Sequence, residues 1–220
     1  MNLAAKDIAQ YLKDHPDFFN QYADALAQIT IPDQHGGRAV SITERQMGTL
    51  RDQVKRLEAK LAELVNFGVE NDALLAKTHR LVLALAGAPD TGTALRVLYA
   101  HLGGDFAVPH VAVRLWGVAN PGDANAPEFT PMSDEAREFA ASIKRPYCGI
   151  GSGPDVLAWF GERGTQVRSL ALVSLRRGAD VFGLLALGSE EPQRFYPEMG
   201  TLYLERIGEV AAIALARTLR

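Results

Sequence analysis

The sequence has 220 residues, of which 47% are hydrophobic and 22% are charged, as is typical of a globular protein with one domain and an appendage, or with two small units. The formal net charge is −3, and no region is strongly basic: residues 1–40 carry three basic and five acidic side chains, residues 41–87 seven and six, and residues 88–220 thirteen and fifteen. Direct binding to nucleic acid is therefore not expected, and the single cysteine, Cys148, excludes an internal disulfide and a cysteine-built metal site.

The first residues, MNLAAKDIAQYL, lack the basic segment followed by an apolar run that marks a signal peptide. No apolar stretch approaches the length needed to cross a bilayer. We therefore expect a cytoplasmic protein that does not enter a membrane.

Residues 1–40 are predicted to form a small helical segment followed by a linker. A first helix should end near Pro16, because proline disfavours helical geometry in the residue before it. A second helix begins at Asp17, which can cap it. Its apolar face is predicted to hold Phe18, Phe19, Tyr22, Leu26 and Ile29. A DNA-binding helix-turn-helix is disfavoured, since the second helix has no Arg or Lys to contact bases. Residues 31–37 are rich in turn formers and predict the linker.

Residues 41–87 contain no proline and are predicted to form one long helix. Its start is marked by Ser41 and Glu44, whose spacing is that of a capping box. Apolar residues recur in steps of three and four, which is the heptad pattern of a coiled coil. The residues predicted to form the dimer seam are Leu50, Val54, Leu57, Leu61 and Leu64. The alternative is a helix that folds back on its own chain. Self-association is favoured, because a lone helix of this length would leave its leucines in water.

The same register continues at Leu75 and Val82 but places Gly68 and Asn71 at core positions, where neither residue fills a coiled-coil layer. We therefore predict that the long helix has two parts. The first part dimerises through the seam, and the second packs on the C-terminal domain through its last turns, residues 81–85.

Residues 88–220 are predicted to form a mixed domain. The first half is predicted to contain a helix at 93–102, a strand at 110–116, a loop at 117–131 and a helix capped by Ser133. A glycine-rich turn at 147–153 and a short helix at 156–160 should follow. The second half is predicted to contain strands at 169–175 and 181–187 and a helix at 199–219. The two apolar strands should form an antiparallel hairpin in the middle of a sheet. The last helix is predicted to turn these residues toward the sheet or a partner: Leu202, Leu204, Ile207, Val210, Ile213, Ala214 and Leu215. The element order predicts an α+β fold with an antiparallel sheet.

Residues 169–215, SLALVSLRRGADVFGLLALGSEEPQRFYPEMGTLYLERIGEVAAIAL, resemble the closing half of a GAF domain. Four further segments resemble a bacterial family of GAF-like proteins of unknown function, domain-of-unknown-function family 484. These segments are HPDFF at 15–19, IPDQHGGRAVSITERQ at 31–46, CGIGS at 148–152 and GSEEPQRFYPEMGTLYL at 188–204. The resemblance implies a GAF-like domain at 88–220, preceded by the coiled-coil helix and the small helical cap.

A GAF-like domain implies a cavity for a small ligand between the sheet and its overlying loops, here residues 117–131 and 145–160. The residues predicted to line this pocket are Trp116, Tyr147, Cys148, Trp159 and Phe160. The aromatic residues among them are also typical of a core or of a pocket mouth. The ligand is unknown, since the cyclic-nucleotide pattern of GAF phosphodiesterases is missing. The five histidines lie far apart in the sequence, so no metal site is expected.

Three functions stay open. The first is a non-enzymatic sensory, regulatory or protein-interaction module that dimerises through the long helix. The second is a scaffold without a ligand, for which the resemblance implies a partner in chromosome maintenance. The third is a thiol-dependent enzyme using Cys148, which is disfavoured because no histidine follows His110 in the sequence to serve as a base. No catalytic residue is therefore assigned.

Overall fold

A computed structural model describes residues 4–28, 30–31, 40–118, 125–149 and 156–219. The chain divides into two compact units, Met1–Gly68 and Val69–Arg220. Within the described residues, no helix combines the length and the apolar character needed to cross a membrane.

The N-terminal unit begins with three short helices, α1 (Ala5–Asp14), α2 (Asp17–Gln21) and α3 (Ala23–Gln28). The first helix ends before Pro16, as predicted. The single second helix was a wrong prediction, because the backbone of Tyr22 leaves the helical region, at φ −118° and ψ 31°, and separates α2 from α3. The predicted cap is also shifted: Pro16 occupies the cap position, and Asp17 lies in the first turn of α2.

A short antiparallel ribbon, which the sequence did not predict, follows these helices. Its strands are β1 (Thr30–Ile31) and β2 (Val40–Ser41). Most of the predicted linker lies between them, at 32–37, outside the described residues. The side chains of the predicted capping box, Ser41 and Glu44, also lie outside the described part of the chain, as do those of Leu26 and Ile29.

One helix of 45 residues, α4 (Ile42–Ala86), forms where the long helix is predicted. The boundary between the two compact units falls inside it, after Gly68. This is the point at which the heptad pattern places a glycine at a core position. The first part of α4 therefore belongs to the N-terminal unit and the second part to the C-terminal unit.

The C-terminal unit contains a four-stranded antiparallel sheet in the order β3-β6-β5-β4. After α4 its elements are α5 (Thr91–Gly104), β3 (His110–Leu115), a 3-10 turn (Pro127–Phe129), α6 (Asp134–Ser142), β4 (Tyr147–Gly149), a 3-10 segment (Val156–Gln166), β5 (Ser169–Arg177), β6 (Asp180–Ser189) and α7 (Leu202–Thr218). The fold is α+β, and the hairpin of β5 and β6 lies in the middle of the sheet, as predicted. Gly178 has φ +65° in the hairpin turn, a conformation that favours glycine.

The start of the predicted glycine-rich turn is instead a strand. Tyr147, Cys148 and Gly149 pair with Leu172, Ala171 and Leu170 of β5 and form the edge strand β4. Pairing satisfies backbone groups that a turn at the sheet edge would leave unpaired. The rest of the predicted turn, residues 150–153, lies outside the described residues.

Helices α5 and α7 and the last turns of α4 cover one face of the sheet and enclose the main core. Leu81 and Leu85 of α4 are fully buried there, as predicted. The α4 residues that turn toward this core are spaced three and four positions apart, as on one face of a helix. They are Leu74, Thr78, Leu81 and Leu85. Leu74 and Leu81 pack one position before the predicted residues Leu75, which is 51% exposed, and Val82, which is half-buried, whereas Leu85 packs where the register predicts it.

The C-terminal helix α7 buries Leu204, Ile207, Ala214 and Leu215, as predicted, and leaves Val210 half-buried. Leu202 and Ile213 do not face the sheet, since they are 54% and 70% exposed.

Arg217 of α7 ties this helix to the end of α4. Its guanidinium donates hydrogen bonds to the carbonyls of Leu85, Ala86 and Ala88, at 3.3, 3.0 and 2.7 Å. These carbonyls lie at the C-terminus of α4, where a helix leaves its last acceptors without internal partners.

Two helical glycines should respond in opposite ways to the same substitution. A Cβ on Gly208 of α7 would overlap Cγ1 of Val173 on β5, whereas a Cβ on Gly68 of α4 meets open space. We expect Gly208→Ala to lower the free energy of unfolding by about 1–3 kcal/mol through overpacking. The control, Gly68→Ala, should raise it by about 0.5–1 kcal/mol through helix propensity. Urea unfolding followed by circular dichroism measures both, and a gain for Gly208→Ala would contradict the packing of α7 on β5.

Candidate functional site

The second face of the sheet carries a smaller core with an aromatic border. Helix α6 and the 3-10 segment Val156–Gln166 contribute to this core. Four predicted pocket residues, Trp116, Tyr147, Trp159 and Phe160, pack half-buried against it. We call these four residues the aromatic face. The structure therefore places four of the five predicted pocket residues on one face of the sheet, with Trp116 and Tyr147 at its opposite edges.

The prediction that Cys148, the fifth residue, lines this pocket is wrong. Successive side chains of a strand point to opposite faces of the sheet, so Cys148 of β4 points away from its neighbour Tyr147. It lies in the main core and is 6% exposed. Burial raises the pKa of the thiol, which disfavours the reactive thiolate. Cys148 therefore cannot line the same pocket as the aromatic face.

Two further residues of this site come from β3. Alternation along the strand places His110 and Arg114 on the same face of the sheet as Trp116. The guanidinium of Arg114 lies 4.9 Å from the centroid of the Trp159 ring, a distance typical of a cation–π contact. One of its N–H groups donates to the carbonyl of Val113 at 3.1 Å. The period of two at 110–116 was a signal from which both residues could have been found.

A buried hydrogen bond lies beside Arg114. The hydroxyl of Tyr99 on α5 donates to Oε1 of Glu128 at 2.7 Å, and Glu128 is only 9% exposed. Burial, followed by the hydrogen bond to Glu128, raises the pKa of Tyr99, so the hydroxyl stays protonated. Burial also lowers the pKa of Arg114, against the opposing influence of Tyr99 and Glu128. A half-buried cation thus faces the aromatic rings while a carboxylate balances part of its charge.

His110 adds a polar atom to the same face. Its ring is 5.8 Å from that of Phe160, and the residue is 6% exposed. Within the described residues, Nε2 has no hydrogen-bond partner, although Oε1 of the exposed Glu190 lies 3.5 Å away. The two atoms are close, but their geometry does not suit a hydrogen bond. A buried imidazole nitrogen without a hydrogen-bond partner can accept a hydrogen bond from a bound molecule or donate one to it.

The arrangement is suited to binding. Flat aromatic rings can stack on a planar ligand, Arg114 can attract an anionic or acceptor group, and His110 can add a directional bond. In the part of the chain that the structure describes, no cluster of three or more His, Cys, Asp or Glu side chains could hold a metal ion. The predicted loops over this face are described only in part, because 119–124 and 150–155 lie outside the described residues.

A groove of about 300 Å³ lies elsewhere in the same unit, between the segment before β4, strand β5 and helix α7. Basic residues Lys144, Arg145 and Arg176 and acidic residues Glu205 and Glu209 line it. It contains none of the predicted pocket residues. Arg176 is already engaged there, since it donates to two carbonyls at the end of α6 at 2.8 Å.

Comparison with known proteins gives one family and several relatives. The sequence profile of the family described as "Protein of unknown function, DUF484" matches residues 1–219. The uncharacterized protein YigA of Salmonella typhimurium is 24% identical over 222 residues, which cover 97% of this chain and 91% of that protein. YigA of Escherichia coli strain K12 is 25% identical over 205 residues, which cover 91% and 86%. The crystal structure of the GAF domain of the potassium sensor histidine kinase KdpD from Escherichia coli aligns with a TM-score of 0.38 and 19% identity, covering 64% of this chain and 92% of that one.

The burial of Cys148 makes its reactivity predictable. We expect the native thiol to react with a disulfide reagent such as DTNB at least about 100-fold more slowly than in the unfolded chain, because reaction must await local opening. The raised pKa acts in the same direction, since it lowers the thiolate fraction at any pH below the pKa. Stopped-flow absorbance with and without concentrated guanidinium chloride measures the ratio. Equal rates would mean that Cys148 is accessible and would reopen a role for it.

Proposed function

Since the chain belongs to the DUF484 family of proteins of unknown function, we propose a function from its own residues: it is a non-enzymatic regulatory module that forms a homodimer. In this proposal α4 forms a parallel two-stranded coiled coil through the seam. The C-terminal unit is a GAF-like domain that binds a small molecule at the aromatic face.

The exposure of the seam is the observation that carries this proposal. In the single chain, Leu50, Val54, Leu57, Leu61 and Leu64 are 59%, 51%, 66%, 63% and 65% exposed. Full burial of one such side chain stabilises a protein by about 1.5–3 kcal/mol. Five of them at heptad spacing form a stripe that a second copy of the same helix would cover, and leucine at the d positions suits a parallel dimer.

Three features support ligand binding at the aromatic face. The rings are half-buried around the smaller core, Arg114 holds a positive charge against Trp159, and Nε2 of His110 has no hydrogen-bond partner among the described residues. The helices α5 and α7 lie on the other face of the sheet. The two longer helices thus cover one face, while α6 and the 3-10 segment lie on the side of the aromatic face, which is compatible with a GAF-like domain.

Two observations favour a binding role over catalysis. Cys148 is buried in the main core, where its thiol has a raised pKa. Around the aromatic face, the described contacts contain no nucleophile hydrogen-bonded to a base, which nucleophilic catalysis requires.

A second candidate function is a scaffold that recruits a protein partner and binds no ligand. Exposed aromatic side chains of the N-terminal helices favour it: Tyr11, Phe19 and Tyr22 are 54%, 45% and 47% exposed. Aromatic residues at a surface are typical of the central contacts of protein interfaces.

The dimer is tested by placing charges in the seam. Leu57→Lys with Leu61→Lys should convert the protein into a monomer, because four lysines would then face one another in the dimer core. The matched control, Ala59→Lys with Ala62→Lys, adds the same charges to the outer face of the helix and should stay dimeric. Light scattering coupled to gel filtration should give the wild type twice the chain mass of 23.9 kDa. A wild-type monomer would contradict the proposal.

Ligand binding is tested by native mass spectrometry of gently purified protein, which should detect a small molecule released on unfolding. The chain has two tryptophans, and both belong to the aromatic face, so their emission should change when this molecule is removed. Arg114→Gln should lose the molecule, whereas Arg177→Gln, in an exposed hairpin position, should retain it. Protein that carries no molecule and responds to none would favour the scaffold.

A further inference from the structure

A second cavity lies on the opposite side of the sheet from the aromatic face. It has a volume of about 280 Å³, is partly open to solvent, and is lined by residues of α4, α5, β6, α7 and the segment that precedes α7. Its apolar lining includes Leu74, Leu102, Phe106, Met199, Leu204 and Ile207. Small-molecule sites are typically concave and mainly apolar, with a few polar groups that orient the ligand. This apolar cavity has the same character.

Arg194 is the single charged residue in the lining. Its guanidinium donates to the carbonyl of Phe106 at 2.6 Å and lies 5.7 Å from the ring centroid of Phe195, which is 5% exposed. These two contacts fix its position. Among the described residues, no carboxylate lies within ion-pair distance of Arg194. A guanidinium carries five N–H donors in a planar fork, and a carboxylate is the group that matches two of them at once.

Tyr203 closes the cavity on the side of α4. Its ring is part of the lining, and its hydroxyl donates to the backbone carbonyl of Asn71 at 3.0 Å. Leu74, one turn further along α4, contributes a half-buried side chain to the wall. A molecule in this cavity would therefore touch α4 directly, three residues after the carbonyl that Tyr203 binds.

From this geometry we propose that the apolar cavity binds a small aliphatic carboxylic acid, with its chain among the apolar side chains and its carboxylate on Arg194. The volume is that of roughly nine water molecules in the liquid, and an acid with about eight carbon atoms has a similar number of non-hydrogen atoms. The positive charge of Arg194 selects an anion over a neutral alcohol of the same length. This site is separate from the aromatic face and does not depend on the function proposed for that face.

The test uses octanoate as the probe and 1-octanol as its neutral counterpart, with the full-length protein. Selective labelling of the methionine methyl groups gives a direct reporter, because the chain has four methionines and Met199 is the one in the lining. We expect octanoate to shift the Met199 methyl signal in a saturable way and to leave tryptophan emission unchanged. Octanoate that shifts other methyl signals but not that of Met199 would overturn the proposal.

Two variants separate the chain contact from the carboxylate contact. Arg194→Gln should weaken octanoate binding by at least about tenfold and change octanol binding by less than about threefold, since only the charged pair is lost. Leu74→Trp should weaken both ligands, because the indole occupies the cavity. The control, Arg177→Gln, removes an exposed charge from the β5–β6 hairpin outside the lining and should bind both ligands as the wild type does.

Circular dichroism tests whether each variant is folded. If Leu74→Trp does not fold, the methyl titration of the wild-type protein decides the outcome. Wild-type protein that fails to bind octanoate below its micellar concentration would overturn the proposal, as would equal octanoate affinity in Arg194→Gln. Neither result bears on the dimer or on the aromatic face, because those are read from molecular mass and from tryptophan emission.

Discussion

One helix, α4, has to bury two sets of apolar residues, and the rest of the structure depends on how it does so. Its last turns are held in the main core by Leu81 and Leu85, which are fully buried, and Arg217 satisfies the carbonyls at its end. Its first part carries the seam, which a single chain leaves exposed. This exposed stripe is the surface that the proposed dimer would cover.

The change between these two roles occurs close to Gly68. Before this residue the seam follows the heptad positions. Beyond it the half-buried Leu74 and the buried Leu81 each precede a heptad position by one, while the buried Leu85 stays on the register. A Cβ on Gly68 would meet open space, so this residue contributes no side chain to the seam or to the main core. The apolar cavity lies a few residues further along α4, with Leu74 and Tyr203 in its lining, so the aliphatic chain of the proposed ligand would contact α4 close to Gly68.

Elements defined by local pattern could be predicted from the sequence, and elements defined by pairing could not. The long helix and α7 repeat a helical period over many residues, and the β5–β6 hairpin combines two apolar runs with a short connector that contains Gly178, and these are strong signals. Strand β4 has three residues and exists because its backbone pairs with β5, so the sequence at 147–149 looked like a turn. The same pairing turns Cys148 to the opposite face from Tyr147, because side chains alternate along a strand. Arg194 could not have been predicted as a ligand contact, because the cavity beside it is formed by residues far apart in the chain.

The most direct measurement of the central claim is interchain disulfide formation at the seam. In a parallel dimer in register, the two copies of residue 57 face each other across the core, at a separation that a disulfide can bridge. A Leu57→Cys variant should therefore form a covalent dimer rapidly under mild oxidation, while an Ala59→Cys variant, on the outer face of the helix, should not. Leu57→Cys protein that stays monomeric on a non-reducing gel, or crosslinks no faster than Ala59→Cys, would contradict a parallel coiled coil through this seam.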